Sequence, residues 1–152
     1  LLVGTTAGHL GQSAILAEVF HRIEGDAPDV DLVAEKLHGD FIRANARWID
    51  ACTDLSDGGL ALAAFEMAET AGTGVSLDSA DTHILFGEDQ ARYLIACTYD
   101  QAEALMVAAG SAGVPIASVG KFGGDNVSMG DSSAPLADLA TLFRTTFADT
   151  FA

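Results

Sequence analysis

Thr53-Asp54-Leu55-Ser56-Asp57-Gly58-Gly59-Leu60 is the stretch that decides how this chain is read. Before it lies an apolar run, Ile49 to Cys52. After it Leu60, Ala63, Ala64, Met67, Ala68 and Ala71 recur at helical spacing. The pattern is a strand ending in a tight turn at the N-terminus of a helix. Unsatisfied N–H groups and the helix dipole at such a turn attract anions. Carboxylates beside it suit a hard divalent cation such as Mg²⁺. The paired glycines imply close backbone approach or left-handed geometry. The competing reading is a plain helix cap by Ser56 or Asp57, which leaves the double glycine unexplained.

Upstream of this turn, Leu1 to Thr5 reads as a strand and Ile15, Leu16, Val19, Phe20 and Ile23 as one face of a helix. Gly25 to Pro28 breaks that helix, and Pro28 suits the first turn of the next. The second stripe is Val30, Val33, Ala34, Leu37, Phe41, Ala44 and Trp48, with Gly39 as an interruption. Downstream, Leu62 and Phe65 lie off the stripe of the third helix, so that helix is expected to be buried on more than one side. Strands are expected at Val75 to Leu77, Arg92 to Thr98 and Val114 to Lys121, with a helix between the last two on Ala102, Leu105, Met106 and Ala109. Gly123 to Asn126 reads as a hairpin turn with Val127 to Met129 as its return strand, and Asp131 to Ser133 as a polar loop. Leu136, Leu139, Ala140, Phe143, Phe147 and Phe151 form a terminal helical stripe. The sum is one domain, 1–152, mixing helices and strands.

The 152 residues carry 22 acidic and 7 basic side chains, a formal charge of -15. That field repels nucleic acid and anionic membrane. A phosphoryl ligand needs metal or backbone amides to offset it. Cys52 and Cys97 each sit in an apolar run and read as buried reduced thiols. No apolar run approaches a membrane span and no basic leader opens the chain, so a cytoplasmic location is expected.

Two further polar segments stand out. Phe86-Gly87-Glu88-Asp89-Gln90-Ala91-Arg92 precedes a strand and offers two acids, an amide and a guanidinium. Read locally, it is the solvated start of a strand with Arg92 offsetting the acids. Gly8-His9-Leu10-Gly11-Gln12-Ser13 is a glycine-flanked loop opening a helix, either an anion-holding loop or an ordinary Ser13 cap. His9, His21, His38 and His83 are scattered and form no metal-binding pair. Gly120-Lys121 lacks the upstream glycine of a P-loop, and Gly11-Gln12-Ser13 lacks the closing glycine of a nucleophile elbow.

In order, "LLVGTTAGHLGQS", "DLSDGGLALAAFEMAE", "LFGEDQARYLIAC" and "AGVPIASVGKFGG" resemble the last domain of the phosphoribosylformylglycinamidine synthase family, over essentially the whole chain. That family belongs to the aminoimidazole-ribotide-synthetase-like superfamily. The resemblance implies an α+β fold, a three-layer α/β/α sandwich with a mixed sheet. It implies an ATP-dependent, Mg²⁺-assisted amidation of formylglycinamide ribonucleotide in purine biosynthesis. Its partners are the remaining domains of the synthetase subunit, a glutaminase subunit and a small accessory subunit. The family's catalytic histidine lies in modules this chain lacks, so no catalytic residue carries over and the chain alone is expected to be inactive. Asp54 matches a magnesium-binding aspartate, and Asp57, Gly58 and Gly59 complete that turn. Glu88 and Gln90 match the ends of a Glu-Ser-Gln substrate segment, with Asp89 in place of its serine. An acid there repels a phosphorylated substrate, so these residues are expected to line a pseudo-symmetric second site able to hold ATP or ADP. Two rival readings are a purely architectural module that binds nothing, and the same domain of a related small-molecule kinase. A cut interface implies an exposed apolar surface and a homodimer of the fragment.

Overall fold

Side chains alternate between the faces of a strand, so consecutive apolar residues in a strand feed two different cores. The computed structural model bears this out at β1 (Leu2–Val3) and β4 (Tyr93–Ala96). Leu2 and Leu94 enter one hydrophobic cluster, Val3 and Ile95 another. These strands pair antiparallel, Leu2 opposite Leu94, and lie in a four-stranded antiparallel sheet. It also holds β2 (Ala51–Asp54) and β5 (Ile116–Ala117), in the order β2-β4-β1-β5. The structure describes residues 1–151, without the side chains at 147–149 and 151, so Phe147 and Phe151 of the terminal stripe lie outside the described residues.

On one face of this sheet, Phe41 of α1 (Leu32–Ala44) and Leu105 and Ala109 of α4 (Tyr99–Ala112) pack with Val114 on Val3 and Ile95. Each fully buried Ile95 or Leu105 contributes roughly 1.5–3 kcal/mol. On the other face lies α2 (Gly59–Ala71), buried on more than one side as its off-stripe residues imply. That completes an α/β/α layering around the first sheet. Beyond α2 a second sheet runs in the order β6-β3-β7-β8, from β6 (Gly120–Phe122), β3 (Val75–Leu77), β7 (Asn126–Met129) and β8 (Ser132–Pro135). β3 and β7 are parallel and the other pairs antiparallel, so this sheet is mixed. The α+β class and the mixed sheet hold, with an all-antiparallel sheet beside it. α3 (Thr82–Phe86) and α5 (Leu136–Phe151) complete the chain, and Phe143 of α5 meets Phe65 of α2 edge to face at 5.3 Å.

Several local expectations are corrected. Residues Ile15–Val19 form one π-helical turn, and Val19, Phe20 and Ile23 face solvent. Side-chain bonds shape this stretch as a folded-back loop: His9 Nε2 lies 2.7 Å from Asp26 O, and Gln12 Nε2 donates to Gly25 O. α1 begins four residues after Pro28, because the Asp31 carboxylate accepts from Val33 and Ala34 N–H and so fixes the first turn. Gly39 does not break α1, and Ala46–Trp48 is a separate 3₁₀ turn. The strand expected from Val114 to Lys121 is split between the two sheets. β6 and β7 are not a hairpin, since β3 lies between them and β7 returns to β8 instead. Cys52 is exposed and Cys97 half-buried, both as free thiols. Among the described residues no helix is long and apolar enough to cross a membrane.

Candidate functional site

The chain turns sharply between β2 and α2. Gly58 (φ 76°) and Gly59 (φ 59°) are both left-handed and buried. A Cβ on Gly59 would lie 2.6 Å from Gly87 O, so the double glycine is demanded by backbone approach as well as by conformation. Among the described residues neither Ser56 nor Asp57 caps α2 through its side chain, which removes the plain-cap reading of that pair.

What Gly59 approaches is the 87–92 segment, and that segment also grips the loop at residues 6–14. Glu88 Oε1 accepts from Gly58 N–H at 2.9 Å and from Ala14 N–H at 2.8 Å. Glu88 N–H donates to His9 O, and Asp89 accepts from Ala7, Gly8 and His9 N–H. The three polar segments, far apart in sequence, therefore meet at one place. Gly59 N–H goes to Ser56 O, so the amides of the glycine pair are engaged within the protein. Glu88 is the internal anion at this turn.

Asp54 and Asp57 are left free. Both are exposed, and among the described residues their carboxylates accept no hydrogen bond. Asp54 lines a cleft of about 480 Å³ with Glu35, Ser56, Gln90, Arg92 and Tyr93. Gln90 is exposed at its rim, its amide 3.4 Å from Glu88 O. Glu35 was not foreseen. It comes from α1, 56 residues from the Ala91 N–H it accepts, and no local pattern marks it. His38, also on α1, is buried with Nδ1 2.7 Å from Ala91 O, and His83 Nδ1 is 2.9 Å from Gly8 O.

The cleft is electronegative. Burial, then the Glu35 and Asp54 carboxylates, push the Tyr93 phenol above its ordinary range. Partial desolvation of the sulfur and then Asp54 do the same to the otherwise exposed Cys52 thiol. Burial pulls the Arg92 guanidinium down, with Asp89 and Glu88 opposing. Among the described residues no three His, Cys, Asp or Glu side chains converge closely enough to hold a metal by themselves. Mg²⁺ is commonly held by one or two carboxylates, with waters and substrate phosphates filling the remaining positions. Asp54 fits that sparse role.

The family model for the C-terminal domain of AIR synthase related proteins matches residues 1–130. The chain belongs to that family. It is 66% identical over 152 residues to the phosphoribosylformylglycinamidine synthase subunit PurL of Ruegeria sp. (strain TM1040), covering all of this chain and 21% of that protein. The chain thus spans about a fifth of the length of such relatives. Among solved structures, T. maritima PurL complexed with FGAR superposes with a TM-score of 0.73 at 18% identity, over 91% of this chain and 27% of that one. T. maritima PurL complexed with ATP gives 0.65 at 19% identity, over 91% of this chain and 24% of that one. At these identities the superpositions establish the shared AIR-synthase-type C-terminal fold.

Proposed function

We propose that this AIR-synthase-type domain is the C-terminal module of the second half of a phosphoribosylformylglycinamidine synthase large subunit. It works in the cytoplasm, in purine biosynthesis. The parent enzyme uses ATP to activate the amide oxygen of formylglycinamide ribonucleotide, and ammonia then displaces phosphate to give the amidine. The ammonia comes from glutamine on a glutaminase subunit, and a small accessory subunit joins the assembly. This chain supplies no catalytic residue and does not turn over alone.

Within it, Asp54 is the magnesium contact, and Asp57 and Gln90 stand at the rim of a site for ATP or ADP. Gly58, Gly59 and Glu88 form the floor that fixes this rim. Bound magnesium would offset phosphoryl charge that the acidic cleft otherwise repels. The observation that carries the reading is the state of Asp54, with no hydrogen bond to its carboxylate among the described residues, lining a concave cleft beside the turn that Glu88 ties to the 87–92 segment. A purely architectural module has no use for an unpaired acid in that position.

The test is a chimera in which these 152 residues replace the matching region of the Ruegeria subunit, assayed for ATP-dependent amidation with its partner subunits. Activity within about tenfold of the parent is expected. A folded, assembled chimera without activity would contradict the assignment.

A further inference from the structure

Leu1 and Ile95 exchange two backbone hydrogen bonds, Leu1 N to Ile95 O at 2.8 Å and Ile95 N–H to Leu1 O at 2.9 Å. In an antiparallel ladder such pairs recur at every second residue. Cys97 is next in that series on the β4 side, so its N–H and C=O are turned the same way as those of Ile95. Among the described residues neither group has a hydrogen-bond partner. On the other flank of β1, Leu2 lies opposite Ala117, and the register carries on to Ser118 and Val119. Ala96, Cys97 and Thr98 on one side and Ser118 and Val119 on the other wall a cavity of about 810 Å³ beside Leu1. Its floor is apolar: Ala64 of α2 with Val75 and Leu77 of β3, each at most 4% exposed. The cavity is thus the straight continuation of β1 between its two neighbours. Val119 O already accepts from Asp78 N–H, so a strand added there draws its hydrogen bonds from the β4 side. That geometry fits an extended peptide, which supplies main-chain partners and sends alternate side chains into a pocket.

We propose that this lane takes the residues that precede Leu1 in the parent subunit, as an extension of β1 antiparallel to β4. The proposal rests on the reading of this domain as the last module of that subunit. This chain covers 21% of its Ruegeria relative, so the parent has chain to supply ahead of it. Alternation along the strand fixes the chemistry. Leu2 faces the cluster that contains Leu94, and Leu1 faces the one that contains Ile95. The residue directly ahead of Leu1 therefore shares the face of Leu2. It lies over Ala64, Val75 and Leu77 and is a large apolar residue.

The experiment adds Ser-Gly-Leu ahead of Leu1 in one chain and Ser-Gly-Asp in another, and compares both with the unextended chain. Either extension replaces the Leu1 ammonium, whose charge burial disfavours, by an amide. Only the difference between the two extensions reads the apolar floor. The leucine chain is expected to have a folding equilibrium constant at least tenfold above that of the aspartate chain by urea denaturation. Its Cys97 amide is expected to exchange hydrogen at least tenfold more slowly by NMR. Equal stability of the two extended chains would overturn the proposal, because the floor would not select the segment. An unprotected Cys97 amide in the leucine chain would overturn it too. Protection of that amide in the unextended chain that rises with protein concentration would put a second copy in the lane and overturn the choice of occupant. Protection in the leucine chain supports the lane even beside an inactive chimera, which would count against the enzyme assignment alone.

Discussion

Cys52 and Asp54 are two residues apart on β2, so their side chains share a face of the strand. Although Cys52 is exposed as a residue, partial desolvation of its sulfur first and the Asp54 charge second hold the thiol above its ordinary pKa. Only the thiolate attacks an alkylating agent. The rate of Cys52 modification by iodoacetamide should therefore rise with pH along a curve displaced upward from that of a free cysteine. Asp54→Asn removes the second cause and should move the curve part-way back. Saturating Mg²⁺ should do the same to the unaltered chain, because a bound cation cancels the same charge. Measured by mass spectrometry in a Cys97→Ser background, an unchanged curve in Asp54→Asn would deny the proximity on which the site rests. At this scale Asp54 and Glu88 could be picked out from sequence because they flank glycine turns. Their roles could not: whether an acid is bonded or free depends on which distant amide reaches it. Ala14 and Gly58 reach Glu88, and among the described residues no donor reaches the Asp54 carboxylate.

The turn between β2 and α2 is the element that orders the site, and its glycines are not equivalent to the others in the chain. At Gly59 a methyl group meets Gly87 O at 2.6 Å on a left-handed backbone. Gly59→Ala should therefore cost about 3 kcal/mol, combining backbone strain with overpacking. Gly110 in α4 is the contrast, exposed and with open space where a Cβ would stand. Gly110→Ala should add up to about 1 kcal/mol. Urea denaturation of both variants checks the pair, and equal effects would refute this account of the turn. α2 and α4 were legible from the helical spacing of their apolar residues, and β4 from a continuous apolar run that feeds the cores on both faces of its sheet. β8 was not. Ser132–Pro135 has no alternating pattern and becomes a strand only because β7 offers it a partner. The β6–β7 hairpin failed for the same reason, since a local turn signal does not reveal that β3 will insert between them.

For the whole molecule, the unexplained surface is apolar. Ile23 is 89% and Val33 78% exposed, with Val19, Phe20, Val30 and Leu32 also facing solvent along the 14–33 stretch and the start of α1. Isolated apolar residues are ordinary on a surface, but a run of this kind favours association. Sedimentation equilibrium should show this chain associating with rising concentration, and Ile23→Lys with Val33→Lys should shift it toward monomer by at least tenfold in dissociation constant. A monomer at all concentrations would contradict the expectation. The family, the layering and the nearness of the Asp54 turn to Glu88 and Gln90 could be anticipated from four ordered sequence blocks, whereas the arrival of the 6–14 loop at the same place could not. The division into two sheets could not, because it depends on pairings between residues 43 to 52 positions apart, as between β3 and β6 and between β3 and β7. The central claim is that Asp54 stands in a working metal–nucleotide site. Titration calorimetry with Mg·ADP on this chain, beside an Asp54→Asn, Asp57→Asn double variant, tests it most directly. The account predicts saturable binding that disappears in the variant; equal heats from the two proteins, or none from either, would contradict it.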